Sequence, residues 1–188
     1  LRFHRFADMA RERALVLAVA ADDPVLSVLG PIGLASCAGT ALIVDLGDRL
    51  GGASGRTLAD FAEDGPRRSE ATPSRRGVAL MASGGIGVEE AHDLTMRLAS
   101  GWPAIVVRLA GRAWPGPVVP VTPLYPGLLT PTDARPSVWQ RVPGGTRPPG
   151  PGPLLPPLRT PTVRRALGGS APLPGRWLRS WRPVWGLP

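Results

Sequence analysis

The sequence contains no lysine: all 22 of its Lys+Arg positions are arginine. That absence excludes the lysine-bearing phosphate loop, Schiff-base chemistry and a lysine general base. Cysteine is almost absent as well. Cys37 stands alone, so a disulfide framework within the chain is impossible, and the usage suits a reducing compartment. In its Ala/Gly-rich stretch Cys37 reads as a small apolar core residue. Histidine occurs only at His4 and His92, far apart in sequence. With one cysteine they do not make a metal-binding set, and no Ser or Cys motif partners His92 as a catalytic base. A Gly-x-Ser-x-Gly elbow is missing; Gly51-Gly-Ala-Ser-Gly55 has the composition without the spacing. These absences lean away from an enzyme and call for neither a cofactor nor a metal.

A long, uninterrupted hydrophobic run is also lacking. Pro24 to Val44 is uncharged, but Gly30, Pro31, Gly33 and Gly39 break it and small polar residues dilute it, so no membrane span is expected. Arg2, Arg5, Arg11 and Arg13 precede the apolar run Ala14–Ala21. Asp8 and Glu12 interrupt that basic start and Asp22-Asp23 close the run, which is a poor export signal. The expected location is cytoplasmic, with peripheral attachment to a membrane as a variant.

Glycine and proline are abundant, 24 each among 188 residues, and they are unevenly placed. Residues 1–110 carry 12 Arg, 13 acidic residues and 5 Pro, whereas residues 111–188 carry 10 Arg, 19 Pro and one acid, Asp133. So many missing backbone donors argue against an ordinary packed domain in the second part. The reading divides the chain into an N-terminal extension over 1–13, an α/β domain over 14–125 and a Pro-rich basic tail over 126–188.

Within the domain, hydrophobic periodicity sets the elements. Ala14–Ala21 is apolar throughout and suits a strand covered on both faces. Asp22-Asp23-Pro24 then stops the strand and starts a helix through Leu29, with its continuation across Ile32–Ala38 left open. Ala41–Leu46 is a second buried strand. Thr57-Leu-Ala-Asp60 opens a short helix in a shortened capping box, ended by Gly65-Pro66. Gly77–Ser83 is a third strand. Val88–Ser100 is the best helix, with Val88, Ala91, Leu94, Thr95 and Leu98 on one face and acids in its first turns. Ala104–Leu109 is a fourth strand and Val118–Val121 an edge strand that tolerates Pro120. This alternation predicts an α/β fold with a mostly parallel sheet of about four to five strands, flanking helices and an irregular Pro/Arg/Trp-rich tail.

Two places hold weak ligand candidates. Gly84, Gly85 and Gly87 join a strand to a helix, where free amides can bind an anion or simply permit a tight turn. Asp45 ends a strand, where ligands of open α/β sheets bind, or it caps the Gly-rich turn that follows.

Ala41-Leu-Ile-Val-Asp-Leu46, the Gly-rich loop after it and Arg56-Thr-Leu-Ala-Asp-Phe61 resemble part of the ParA/MinD-type P-loop ATPases. The branch that includes septum-site and pilus-assembly (CpaE-like) proteins is the most similar. The resemblance covers roughly residues 14–110. It implies a P-loop NTPase-like fold, but two functional positions depart from the pattern. Ala20-Ala-Asp-Asp-Pro24 stands where the family has its Lys-containing loop, and Val107-Arg108-Leu109 stands where it has a metal-side Asp. The resemblance therefore implies a pseudo-ATPase. The Arg-only, Ala/Pro-rich composition suits a high-GC bacterium such as an actinobacterium.

The tail holds Trp177, Trp181 and Trp185 at intervals of four, flanked by Arg176, Arg179 and Arg182. So many indoles are foreign to a disordered segment. They are read as anchors, on the chain's own sheet, on a protein partner, or on an anionic membrane surface or nucleic acid. The functional expectation is a non-catalytic protein acting by protein interaction, in pilus assembly, secretion or septum-site placement. Its alternatives are a small enzyme with a site near Asp45 and Gly84–Gly87, and an anionic-membrane or nucleic-acid binder acting through the tail.

Overall fold

The computed structural model describes residues 15–50, 55–65, 67, 72–73, 76–127 and 136–187; the expected extension over 1–13 lies outside them. Seven strands form one sheet: β1 (Leu15–Ala20), β2 (Thr40–Asp45), β3 (Gly77–Ala82), β4 (Ala104–Arg108), β5 (Val118–Pro123), β6 (Val138–Gln140) and β7 (Leu154–Leu155). Their order is β3-β2-β4-β1-β5-β6-β7, and every pairing is parallel. Among the described residues five α-helices accompany it: α1 (Leu26–Ala38), α2 (Leu58–Asp64), α3 (Val88–Leu98), α4 (Thr160–Leu167) and α5 (Gly175–Arg179). A 3-10 segment over Arg182–Gly186 follows.

The unbroken apolar runs become strands buried on both faces, as a parallel sheet requires. Leu17, Val19, Ile43 and Val106 face one core, shared with α1, α5 and the 3-10 segment. Ala18, Leu42, Val44, Ile105 and Val107 face the other, shared with α2 and α3. The capping box forms as its sequence suggests. Thr57 accepts from the amide of Asp60 at 3.2 Å, and Asp60 accepts from the amide of Thr57 at 2.7 Å. In α3 the buried residues are Ala91, Leu94, Thr95 and Leu98, while Glu89 and Glu90 occupy the first turn.

Three expectations are corrected. The sheet has seven strands, not four to five. The strand over Val118–Pro123 is interior, between β1 and β6. Its prolines fit because each stands where a neighbour runs out: pairing with β1 ends at Pro120, and pairing with β6 ends at Pro123. The expected irregular tail supplies β6, β7, α4, α5 and the 3-10 segment. Proline carbonyls still accept, so Ser137 and Trp139 donate to Pro151 and Pro153 and add β7 at the sheet's edge. Helix α1 is continuous through Pro31 to Ala38, which closes the question left at Gly30. Among the described residues no helix is long and apolar enough to cross a membrane.

Candidate functional site

Parallel pairing brings the carboxyl ends of all the strands to one end of the sheet, the position where open α/β sheets bind ligands. Asp45 closes β2 there and is fully buried. One of its oxygens accepts from the amide of Gly47 at 2.9 Å and from Nη1 of Arg108 at 2.7 Å. The other accepts from the amides of Arg49 and Leu50 at 2.8 and 2.6 Å. Burial opposes the charge on Asp45, but donation from Leu50, Arg108 and Gly47 outweighs it and holds the carboxyl below its ordinary value. Asp45 is thus the cap of its own loop, and its lone pairs are committed. Arg108, 3% exposed, uses Nε on the Ser27 carbonyl at 2.8 Å and Nη2 on the Ser27 hydroxyl at 3.3 Å. It ties β4 to both β2 and the first turn of α1. Gly47 has no room for a side chain, because a Cβ would collide with Nη1 of Arg108.

The turn at Gly84 and Gly85 does hold an anion, but a resident one. Asp48, in a left-handed conformation at φ 51°, accepts from the amide and hydroxyl of Ser83 at 2.7 and 3.0 Å and from the amide of Gly84 at 3.3 Å. The Gly85 amide donates to the Ser83 hydroxyl at 3.1 Å. Gly84 also has a packing role, since a Cβ there would lie 2.5 Å from the Thr57 hydroxyl. Gly87 is the N-cap of α3.

The first turn of α1 is filled in the same manner. Oδ1 of Asp23 accepts from the amides of Val25 and Leu26, both at 2.9 Å, so the open helix end is neutralised by the chain itself. Oδ2 accepts from the Tyr125 hydroxyl at 2.7 Å, a bond that pushes the Tyr125 proton affinity up. Asp23 and Tyr125 border a cleft of about 220 Å³ beside the ends of β5 and β6, with Arg141 and Thr160 at its wall. Asp23 was legible as a cap from Asp-Asp-Pro. Asp48 and Tyr125 carried no local signal, since their partners lie 35 and 102 residues away in sequence.

The tail candidates separate into two groups. Trp177, Trp181 and Trp185 are 1%, 0% and 7% exposed and pack into the chain's own core, which removes them from reach of a partner. Trp177 and Trp181 meet edge to face at 5.4 Å and lie over Gly33 of α1, where a Cβ would come within 2.6 Å of either ring system. Trp177 donates to Gln140 at 2.8 Å, and Trp185 donates to the Leu34 carbonyl at 3.3 Å and to Sγ of Cys37 at 3.2 Å. Arg176, Arg179 and Arg182 point outward and are exposed. His92 is half-buried against Trp114, ring centres 5.0 Å apart. Among the described residues no three His, Cys, Asp or Glu side chains group as a metal site.

No protein-family model, curated protein or solved structure matches the chain.

Proposed function

We propose that the chain is a non-catalytic α/β protein of ParA/MinD-like descent that acts by binding other proteins. One observation carries the non-catalytic part. Among the described residues at the carboxyl ends of β1 to β4, three groups able to receive a phosphate already have internal partners. Asp23 occupies the amides that open α1, Asp48 occupies those of the Gly84 turn, and Arg108 is spent on Asp45 and Ser27. A ligand anion would have to displace these contacts and face three carboxylates, Asp23, Asp45 and Asp48. Electrostatic preorganisation of a reaction needs donors aimed at developing charge, and here they are aimed at the protein's own acids. Descent from a nucleotide-binding ancestor accounts for an acid-ended second strand beside a Gly-rich loop after the active chemistry is lost. A place in pilus assembly, secretion or septum-site placement is the process this descent suggests.

The experiment is phosphate release from Mg·ATP. The expected rate equals that of a protein-free control. Magnesium-dependent turnover that disappears in Asp45→Ala would overturn the reading and restore the small-enzyme alternative.

A further inference from the structure

Between residues 136 and 187 there is no acidic side chain, and all eight arginines are exposed. Six of them sit on one layer: Arg159, Arg164 and Arg165 at α4, and Arg176, Arg179 and Arg182 at α5 and the 3-10 segment. Val163 and Ala166 of α4 pack against the same core as Trp177 and Trp181, so these elements share one face of the sheet and turn their arginines outward. The opposite layer, α2 and α3, exposes Glu63, Asp64, Glu89, Glu90 and Asp93. The molecule is electrically two-sided, with its positive excess concentrated on α4 and α5.

We propose that the α4–α5 layer is the docking surface for an acidic protein segment carrying leucine-like side chains. This rests on the reading that the chain works by binding protein, and it names the chemistry of that partner. Charge complementarity selects an anion. The surroundings of the arginines then favour protein over nucleic acid. Leu167 closes α4 and is 46% exposed. A peptide covers such aliphatic surface; a phosphate backbone leaves it wet. Nucleic acid gains much of its single-strand affinity by stacking bases on aromatic rings. Every tryptophan of this half, Trp139 included, is buried. Arginine is also the cation that protein interfaces enrich, because its planar fork pairs with carboxylates while its stem packs on apolar groups.

The test is fluorescence anisotropy on the full chain with four probes: an amphipathic Glu/Leu peptide, poly-glutamate of equal length, a short DNA duplex, and anionic phospholipid vesicles. The Glu/Leu peptide should bind about tenfold more tightly than poly-glutamate, the worth of roughly one buried leucine. The pair Arg164→Glu and Arg165→Glu should abolish binding, while Leu167→Asp should lower Glu/Leu peptide affinity to the poly-glutamate level. Arg179→Glu with Arg182→Glu gives a second charge variant on a different element should the α4 pair fail to fold. Equal affinity for the two peptides, tighter binding to the duplex or the vesicles, or no binding to any probe would overturn the proposal. The nucleotide experiment is independent of all these outcomes, so loss of the docking surface and loss of the non-catalytic reading are told apart.

Discussion

Two tryptophans with the same burial make different demands on the fold. Nε1 of Trp177 donates to the buried oxygen of Gln140, whose amide nitrogen in turn serves the carbonyls of Arg141 and Pro156. Nε1 of Trp181 has no hydrogen-bond partner among the described residues. Replacement by Phe removes a similar apolar area at both positions but strands a buried acceptor at only one. Trp177→Phe is therefore expected to cost about 1–3 kcal/mol more than Trp181→Phe in denaturant unfolding. Asp45 and Arg108 form the other residue-scale test. Removing one member of a buried pair leaves an uncompensated charge, so Arg108→Met should cost about 3–5 kcal/mol. The native carboxyl of Asp45 lies below its unfolded value, so its contribution is complete above the ordinary carboxylate range, about pH 3.9, and is lost as pH falls through the depressed native value. Asp45→Asn should flatten the acid limb of the stability curve; an unchanged acid limb would remove Asp45 from the account.

At the scale of elements, α1 and the C-terminal segment hold each other. The small residues of α1 admit the indoles, and Gly33→Ala would press a methyl group against Trp177 and Trp181. Overpacking of this kind is expected to cost about 1–3 kcal/mol and lower the melting temperature. Cys37 reports the same contact from the other side. Burial raises its thiol proton affinity, and Trp185 donates to its sulfur. Thiol labelling should be slow in the native protein and faster in Trp185→Ala; equal rates would mean that the segment does not cover α1. The elements that were legible in the sequence are those with long periodic signals. Ala14–Ala21, Ala41–Leu46 and Ala104–Leu109 read as buried strands because unbroken apolar runs have few other uses, and Thr57-x-x-Asp60 read as a cap because its bonds are local. The short strands β6 and β7 were not legible. Val138-Trp-Gln140 and Leu154-Leu155 are too brief for periodicity, and the prolines around them suggest extended, unpaired chain. Parallel strands and polyproline segments occupy neighbouring backbone conformations, so a Pro-rich chain can add to a sheet edge through its carbonyls. Of the site, Asp45 and the glycine turn were visible, but their resident partners Arg108 and Asp48 depend on pairings no local pattern encodes.

At the scale of the molecule, a parallel sheet presents its strand ends as an anion-receptive surface, and this chain answers with its own acids. The fold's positive excess lies elsewhere, on the α4–α5 layer away from Glu89 and Glu90. The filled end of the sheet is the central claim, and binding tests it more directly than turnover, because nucleotide can be held without being cleaved. The measurement is a calorimetric titration of the full chain with Mg·ATP. Three carboxylates at the strand ends, which already hold the α1 amides, the Gly84 amide and Arg108, lead us to expect no saturable heat. Saturable one-to-one binding, weakened when Arg108 is replaced by Met, would show that the internal contacts give way to a ligand and would contradict the account.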